Sequence, residues 1–89
     1  MKIKYSEKSV KDLKGFSTPD RILIVKKLHY LADNFEVLKE SKKVKELKGS
    51  EFKSQYRFVV AKKIRVLFRI EDNVLILLVL RIGFRKNVY

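Results

Sequence analysis

Apolar and polar residues in the first half of the chain follow the periods of one strand and two helices. Apolar residues at positions 3 and 5 alternate with lysines, which predicts a short edge strand. Ser6 then begins a helical stretch that ends at Gly15. A second helix is predicted from Ser17-Thr18-Pro19-Asp20, which supplies a capping hydroxyl and a first-turn proline, to about Asn34. The front half is therefore predicted to be a strand followed by an αα-hairpin.

The second half of the chain has a period of two, which predicts a β-meander. Residues 56–61 and 64–71 carry apolar side chains at alternate positions. Residues 74–82 are apolar on both faces, as in a central strand. We interpret Lys39–Lys45 as a solvated, lysine-rich connection rather than a dedicated binding site. The predicted fold class is α+β: a short N-terminal strand and a two-helix hairpin packed on an antiparallel β-sheet, in the order β-α-α-β-β-β.

The register of the meander follows from keeping its aromatic and branched side chains on one face, because a slip of one residue exchanges the two faces. This requires two three-residue connections, Ala61–Lys63 and Glu71–Asn73. The opposite pairs are then Val60 with Ile64, Arg65 with Val59, and Arg65 with Val79. The residues predicted for one face are Arg57, Arg65 and Arg69, with Arg81 one diagonal from Arg65. The helices should cover the other face, which carries Tyr56, Phe58, Val66 and Phe68.

Composition limits the kind of protein this is. A chain of 89 residues with 46% hydrophobic residues is expected to form one globular domain over residues 1–89. It has no cysteine, and no cluster of acidic residues and histidine has metal-ligand spacing, so neither a metal nor another cofactor is expected. No secretory signal opens the sequence, which predicts a cytoplasmic location. The longest apolar run, Val74–Leu80, is far shorter than the roughly 20 residues that span a bilayer, so no membrane partner is expected.

Charge indicates the class of partner. The chain has 22 Lys and Arg against 10 Asp and Glu, a net charge of +12. Such an excess favours nucleic acid or an acidic protein as the partner. Five of the six arginines follow residue 56, and the planar guanidinium suits phosphate. The candidate site is therefore expected in the C-terminal half.

The last ten residues, 80–89, begin at the end of the apolar strand Val74–Leu80. They include two arginines, a lysine and a terminal tyrosine. Gly83 lets the backbone turn where the apolar run stops. No acidic residue follows Asp72 to neutralise these cations. This arrangement suits a phosphate-bearing polymer better than a small neutral substrate.

Three stretches of the sequence resemble the RelE/ParE superfamily of bacterial type II toxins, and the last of them favours the RelE branch. They are Leu47-Lys48-Gly49, residues 56–70 with their Arg65-Val66-Leu67-Phe68-Arg69-Ile70 segment, and Leu80–Tyr89. The resemblance implies a metal-independent mRNA endoribonuclease in the cytoplasm, usually acting on mRNA in the ribosomal A site. It also implies a cognate antitoxin, whose acidic segment would wrap the basic face. Operator DNA would be contacted only through that antitoxin.

The resemblance assigns catalytic roles to Arg57, Arg65, Arg85 and Tyr89. Arg57 matches the basic residue that follows the opening aromatic of a strand, and Arg65 matches the arginine that contacts the scissile phosphate. Arg85 matches the arginine credited with protonating the leaving group. Tyr89 matches the terminal tyrosine credited with proton abstraction or with stacking on a base.

Six further cations are predicted to bind RNA: Lys48, Lys53, Lys63, Arg69, Arg81 and Lys86. Two positions depart from the family's pattern. Val59 stands where the family has a second lysine, and Phe84 stands where active relatives often have lysine or histidine. One cation and one candidate proton donor are thus missing. Lys48, Lys53 or Lys63 would compensate if they reach the site.

Two other functions stay open at this stage. One is a ParE-like toxin that poisons DNA gyrase without cutting RNA, and because the same fold serves both activities, fold cannot decide between them. The other is a non-catalytic protein that only binds its antitoxin. The four matched catalytic positions together favour the nuclease, whereas Val59 and Phe84 count against it.

Overall fold

The computed structural model describes residues 1–49, 55–71 and 76–84, which form one five-stranded sheet and three helices. In chain order the elements are β1 Lys2–Tyr5, α1 Glu7–Lys14, α2 Thr18–Asp33, α3 Phe35–Glu40, β2 Val44–Glu46, β3 Gln55–Val60, β4 Ile64–Glu71 and β5 Ile76–Phe84. The strand order is β1-β5-β4-β3-β2, with β1 parallel to β5 and the other neighbours antiparallel. The predicted α+β class is confirmed.

The first two helices begin at the predicted serines. The Ser6 hydroxyl accepts a hydrogen bond from the Ser9 amide at 3.1 Å and donates one to the Leu80 carbonyl at 2.8 Å. The Ser17 hydroxyl accepts from the Asp20 amide at 3.4 Å. Such caps satisfy amides that the first turn of a helix leaves without partners. Ser6 therefore both starts α1 and attaches it to β5.

The stretch Lys39–Lys45 is exposed as predicted except at Val44, but the prediction that it is a plain connection is wrong, because it contains the end of α3 and the start of β2. Phe35 and Leu38 lie one helical turn apart and are both buried against the sheet. Val44 is buried as well, and it pairs with Phe58 of β3. Burial of these apolar side chains orders the segment while its lysines remain exposed. The hairpin of two helices is thus followed by a third helix and an edge strand.

The register between β3 and β4 is as predicted. Val60 pairs with Ile64 and Val59 pairs with Arg65, across a connection of residues 61–63. The first two residues of this connection have φ values of 52° and 65°, in the left-handed region. Two consecutive left-handed residues turn the chain tightly enough for adjacent strands to pair.

The register predicted between β4 and β5 is wrong. Arg65 pairs with Gly83 instead of Val79, and Glu71 pairs with Ile76, which rules out the three-residue connection. The pairing also shifts by one residue between Leu67 and Phe68. A strand that is apolar on both faces gains similar burial in several registers, so its pattern specifies register weakly. The predicted diagonal survives this error, because Arg81 lies two residues before the partner of Arg65.

The core lies between the sheet and its helices. The four sheet residues predicted for this face are buried: Tyr56, Phe58, Val66 and Phe68. The Phe35 ring of α3 meets the rings of Tyr56 and Phe68 edge-on, with centroids 5.3 and 6.1 Å apart. Such edge-to-face contacts are the favoured aromatic geometry. No helix in the described part of the chain is long and apolar enough to cross a membrane.

Candidate nucleic-acid interface

The sheet face away from the core carries the arginines that the sequence predicted for it. Arg57 pairs with Leu67, and Arg65 and Arg69 lie two positions to either side of Leu67 on β4. Side chains at alternate positions share a face, so these three guanidinium groups project from the same side of the sheet. All three are half-buried.

A cavity of about 530 Å³ lies where β2 begins beside β3. Val44 pairs with Phe58, but the Lys43 amide donates to the Leu38 carbonyl at 2.9 Å, so β2 covers β3 no further. The cations that line the cavity are Lys27, Lys42, Lys43, Lys45, Arg57 and Arg65, and the rest of the lining is Tyr30, Leu38, Phe58, Val59 and Ala61. None of these described lining residues is acidic. The cavity is therefore suited to an anionic ligand.

Arg65 lines this cavity and carries a buried hydrogen-bond donor. Its Nε is buried and has no hydrogen-bond partner among the described residues. A buried polar group without a partner costs about 1–3 kcal/mol. Since Arg65 also lines the cavity, its guanidinium group is a candidate to bind a phosphate oxygen there.

Arg69 differs from Arg65 because it has an acidic neighbour. Its Nε lies 3.2 Å from Glu71 Oε2, and about two fifths of each side chain is exposed. Exposed ion pairs contribute little to stability, typically about 0–1 kcal/mol. A phosphate would have to compete with Glu71 for this guanidinium. The predicted RNA-binding role of Arg69 stays a prediction.

Arg81 is held in a two-bond ion pair with Asp12 of α1. Its Nε and Nη2 lie 2.8 and 3.2 Å from the two carboxylate oxygens, and the Ile82 amide donates to the same carboxylate at 2.9 Å. Burial of Asp12 opposes its ionisation, but Arg81 and the Ile82 amide outweigh burial and hold the pKa of Asp12 below its ordinary value. Arg81 thus links α1 to β5, and its predicted role in RNA binding is untested.

The remaining predicted residues lie outside the cavity lining or outside the described residues. Lys48 and Lys63 are exposed, Lys48 after β2 and Lys63 in the turn between β3 and β4. The predicted residues outside the described ranges are Lys53, Arg85, Lys86 and Tyr89. The described residues contain no group of three or more His, Asp or Glu that could hold a metal ion.

The two departures from the family pattern lie at different places. Val59 is 39% exposed and lines the cavity between cationic side chains. Phe84 is 48% exposed, and its ring packs on Phe16 with centroids 5.1 Å apart. Val59 therefore contributes an apolar, uncharged surface to the cavity wall, whereas Phe84 helps to hold the end of β5 against the turn that follows α1.

Solved toxin structures share this architecture. The isolated Escherichia coli RelE toxin matches with a TM-score of 0.71 at 15% identity, covering 93% of this chain and 82% of that one. A chain of the RelE–RelB complex from Pyrococcus horikoshii OT3 matches at 0.70 and 18%, covering 98% and 97%. YafQ from E. coli BL21(DE3) matches at 0.65 and 23%, covering 98% and 96%. The chain has a RelE-like fold. No family model and no curated protein matches its sequence.

Four of the six cations that line the cavity of this RelE-like domain were not predicted from the sequence as site residues: Lys27, Lys42, Lys43 and Lys45. Tyr30, which also lines the cavity, was not predicted either. Lys27 and Tyr30 are three positions apart on α2, which puts them on one helix face. The lysines after Glu40 were interpreted as solvated because the short strand β2 was not predicted. The apolar Val44 between two lysines is the one sequence feature that indicates β2.

Proposed function

We propose that this protein is the toxin of a type II toxin–antitoxin system and an mRNA endoribonuclease that inhibits translation. The observation that carries the proposal is the basic cavity in which Arg57 and Arg65 meet four lysines, with no acidic side chain among the described lining residues. The RelE-like fold supports it, because the RelE branch is the one that the sequence resembles.

The proposed reaction is attack of the ribose 2′-hydroxyl on the adjacent phosphate. It needs removal of the 2′-hydroxyl proton, stabilisation of a dianionic phosphorane, and cleavage of the bond between phosphorus and the 5′-oxygen, which leaves as a hydroxyl after taking a proton from water. Arg57 and Arg65 hold the charge of the phosphorane. Guanidinium groups keep their protons at neutral pH, so Arg85 stabilises the leaving oxygen by charge and hydrogen bonding. Tyr89 abstracts the proton or stacks on the base.

This set of groups is poor in acids and bases that exchange protons near neutral pH. His29 is the only histidine of the chain, and it lies exposed on α2 outside the cavity lining. An enzyme equipped in this way gains much of its rate from the position in which its substrate is held. We therefore propose that cleavage depends on the ribosome, which presents mRNA in the A site in a fixed geometry.

The proposed protein partner is an antitoxin. RelE proteins of E. coli and P. horikoshii have been crystallised with RelB, and this chain has their fold. An acidic segment that orders on binding would neutralise the net charge of +12 and cover the cavity. Operator DNA would be reached only through this antitoxin, in the cytoplasm.

Primer extension on a reporter mRNA tests the proposal, in a reconstituted translation system with and without ribosomes. Wild type is compared with Arg65→Ala and with Arg21→Ala, a control that removes an arginine of α2 outside the cavity. Cuts at A-site codons are expected with ribosomes, reduced by about 10²–10³-fold in Arg65→Ala and retained in Arg21→Ala.

Two other outcomes have clear meanings. Cuts of equal strength without ribosomes would mean a free ribonuclease and would remove ribosome dependence from the proposal. Intact RNA in every lane contradicts the nuclease. DNA damage signals on expression would then indicate gyrase as the target, and their absence would indicate a protein that only binds its antitoxin.

A further inference from the structure

The cavity has a second wall that the proposed cleavage reaction does not use. Tyr30 projects from α2, is 51% exposed and lines the cavity. Lys27 Nζ lies 5.8 Å from the centroid of the Tyr30 ring, in cation–π range. An aromatic ring exposed among cations is the arrangement with which proteins bind single-stranded nucleic acid: the ring stacks on a base and the cations contact the backbone.

Three lysines are brought to this wall by the turn that follows α3 and by the start of β2. Lys42 has a φ of 65°, and its amide donates to the Lys39 carbonyl at 3.1 Å. This left-handed turn reverses the chain, and Lys42, Lys43 and Lys45 all line the cavity. Lys39, in the same segment, has its ammonium 5.6 Å from the Tyr56 ring centroid and does not line the cavity. The convergence is therefore specific to the three lysines after the turn.

We propose that Tyr30 and these lysines form a nucleotide subsite for single-stranded RNA, next to the phosphodiester held by Arg57 and Arg65. The base of one nucleotide stacks on Tyr30, and its phosphate contacts Lys42, Lys43 and Lys45. The volume of about 530 Å³ lies within the range of about 300–1,000 Å³ found for small-ligand sites, so one nucleotide fits. The inference rests on the proposed function for the identity of the polymer, but it concerns binding and not cleavage.

The subsite is tested by fluorescence anisotropy with a short single-stranded RNA that carries 2′-O-methyl groups, so that it cannot be cut. A second probe has the same ribose–phosphate backbone without bases. The variants are Tyr30→Ala, Tyr30→Phe and the triple variant Lys42→Gln/Lys43→Gln/Lys45→Gln. The matched control, Lys8→Gln/Lys11→Gln/Lys14→Gln, removes the same charge from exposed lysines of α1.

The expected results separate stacking from charge. Tyr30→Ala weakens binding of the intact RNA by about 5- to 150-fold, the effect of losing one base stack, and leaves the abasic probe unchanged. Tyr30→Phe keeps the ring and binds as wild type. The cavity triple variant makes the negative slope of log K against log salt less steep by up to about 2, because each lost phosphate contact removes about 0.7 from its magnitude. The α1 control changes it less.

Three outcomes overturn the subsite. Equal RNA affinities of Tyr30→Ala and Tyr30→Phe would contradict base stacking on Tyr30. Equal salt slopes of the two triple variants would contradict the proposed phosphate contacts of the cavity lysines. A short poly-glutamate peptide that binds in a Tyr30- and lysine-dependent manner, with no such dependence for RNA, would assign the cavity to an acidic protein. Cleavage is measured separately: Tyr30-dependent binding without any cleavage supports the subsite while contradicting the nuclease.

Discussion

Asp12 and Arg81 tie α1 to β5 by two hydrogen bonds, of 2.8 and 3.2 Å, between residues 69 positions apart. The carboxylate also accepts a hydrogen bond from the Ile82 amide at 2.9 Å. β1 pairs with β5 only as far as Val79, so Asp12 satisfies a backbone donor of β5 that β1 does not reach. Asp12 thus attaches the first helix to the last described strand. A residue of the basic C-terminal run therefore has a structural partner.

Replacing Asp12 with Asn should destabilise the protein by about 1 kcal/mol, because the Asp12 side chain is only 17% exposed whereas its Arg81 partner is 41% exposed. Urea unfolding at pH 7 measures the loss. The control is Asp33→Asn, which removes an exposed carboxylate at the end of α2 and should change the free energy of unfolding by less than about 0.5 kcal/mol. Equal effects of the two variants would contradict the stabilising role of the ion pair.

The stability that Asp12 contributes should depend on pH. Its pKa is lowered in the folded protein, so the contribution is complete above the unfolded value of about 3.9 and is lost as pH falls through the folded value. The difference in unfolding free energy between wild type and Asp12→Asn should therefore be full at pH 7 and shrink below about pH 4. Urea titrations at pH 7 and pH 3 check this, and a difference that grows on acidification would be inconsistent with it.

The two helix caps should differ in strength. Ser6 is partly buried and its hydroxyl bridges the Ser9 amide and the Leu80 carbonyl, whereas Ser17 makes one exposed contact of 3.4 Å. We expect Ser6→Ala to cost about 1–2 kcal/mol and Ser17→Ala about 0.5 kcal/mol. Thermal or urea unfolding of both variants measures the difference. The reverse order would show that the Leu80 contact adds nothing.

Phe68 lies at the centre of the aromatic cluster. It is fully buried, and its ring stacks on Tyr56 with centroids 5.6 Å apart. Phe68→Ala should cost about 3–5 kcal/mol by loss of burial and formation of a cavity. Phe68→Leu refills most of the space and should cost clearly less. Urea unfolding of both variants is the measurement, and a cost for Phe68→Ala below about 1 kcal/mol would contradict the packing described.

Arg65→Lys should impair cleavage although it keeps the charge. Lysine has no counterpart to the buried Nε of Arg65 and cannot bind phosphate with a planar fork. Under the proposed function we expect at least a tenfold lower cleavage rate, since a charge-assisted hydrogen bond contributes about 1.5–3 kcal/mol. Lys11→Arg, on the exposed face of α1, is the control and should cleave as wild type. Full activity of Arg65→Lys would mean that charge alone is sufficient.

Much of the fold could be predicted because local signals and burial agreed. Ser6 and Ser17 precede helical periods, and the alternation over residues 56–71 fixed both the face of each side chain and the turn at 61–63. One face of these strands is buried and the other is not, so a slip in register would have exposed aromatic side chains. The arginines of the outer face followed from the same alternation.

The elements that could not be predicted are those whose order depends on distant contacts. β2 is three residues long and gains its stability from pairing with β3, so the lysines in and around it gave no sign of a strand. Residues 76–82 are apolar on both faces, so their sequence does not define the register of β5 on β4. The shift in pairing next to Leu67 also has no recognisable pattern in the sequence. The positions of Lys42, Lys43 and Lys45 in the cavity depend on β2. Because β2 was not predicted, the role of these lysines was not predicted either.

The parallel pairing of β1 with β5 has a consequence for folding during synthesis. β1 leaves the ribosome before β5, because its partner, residues 76–79, is made more than 70 residues later. A contact of such long range closes late and slowly, and until then Ile3 and Tyr5 have no strand to join. The sheet can therefore be completed only after residues 76–79 have left the ribosome. Until then the nascent chain is only partly folded.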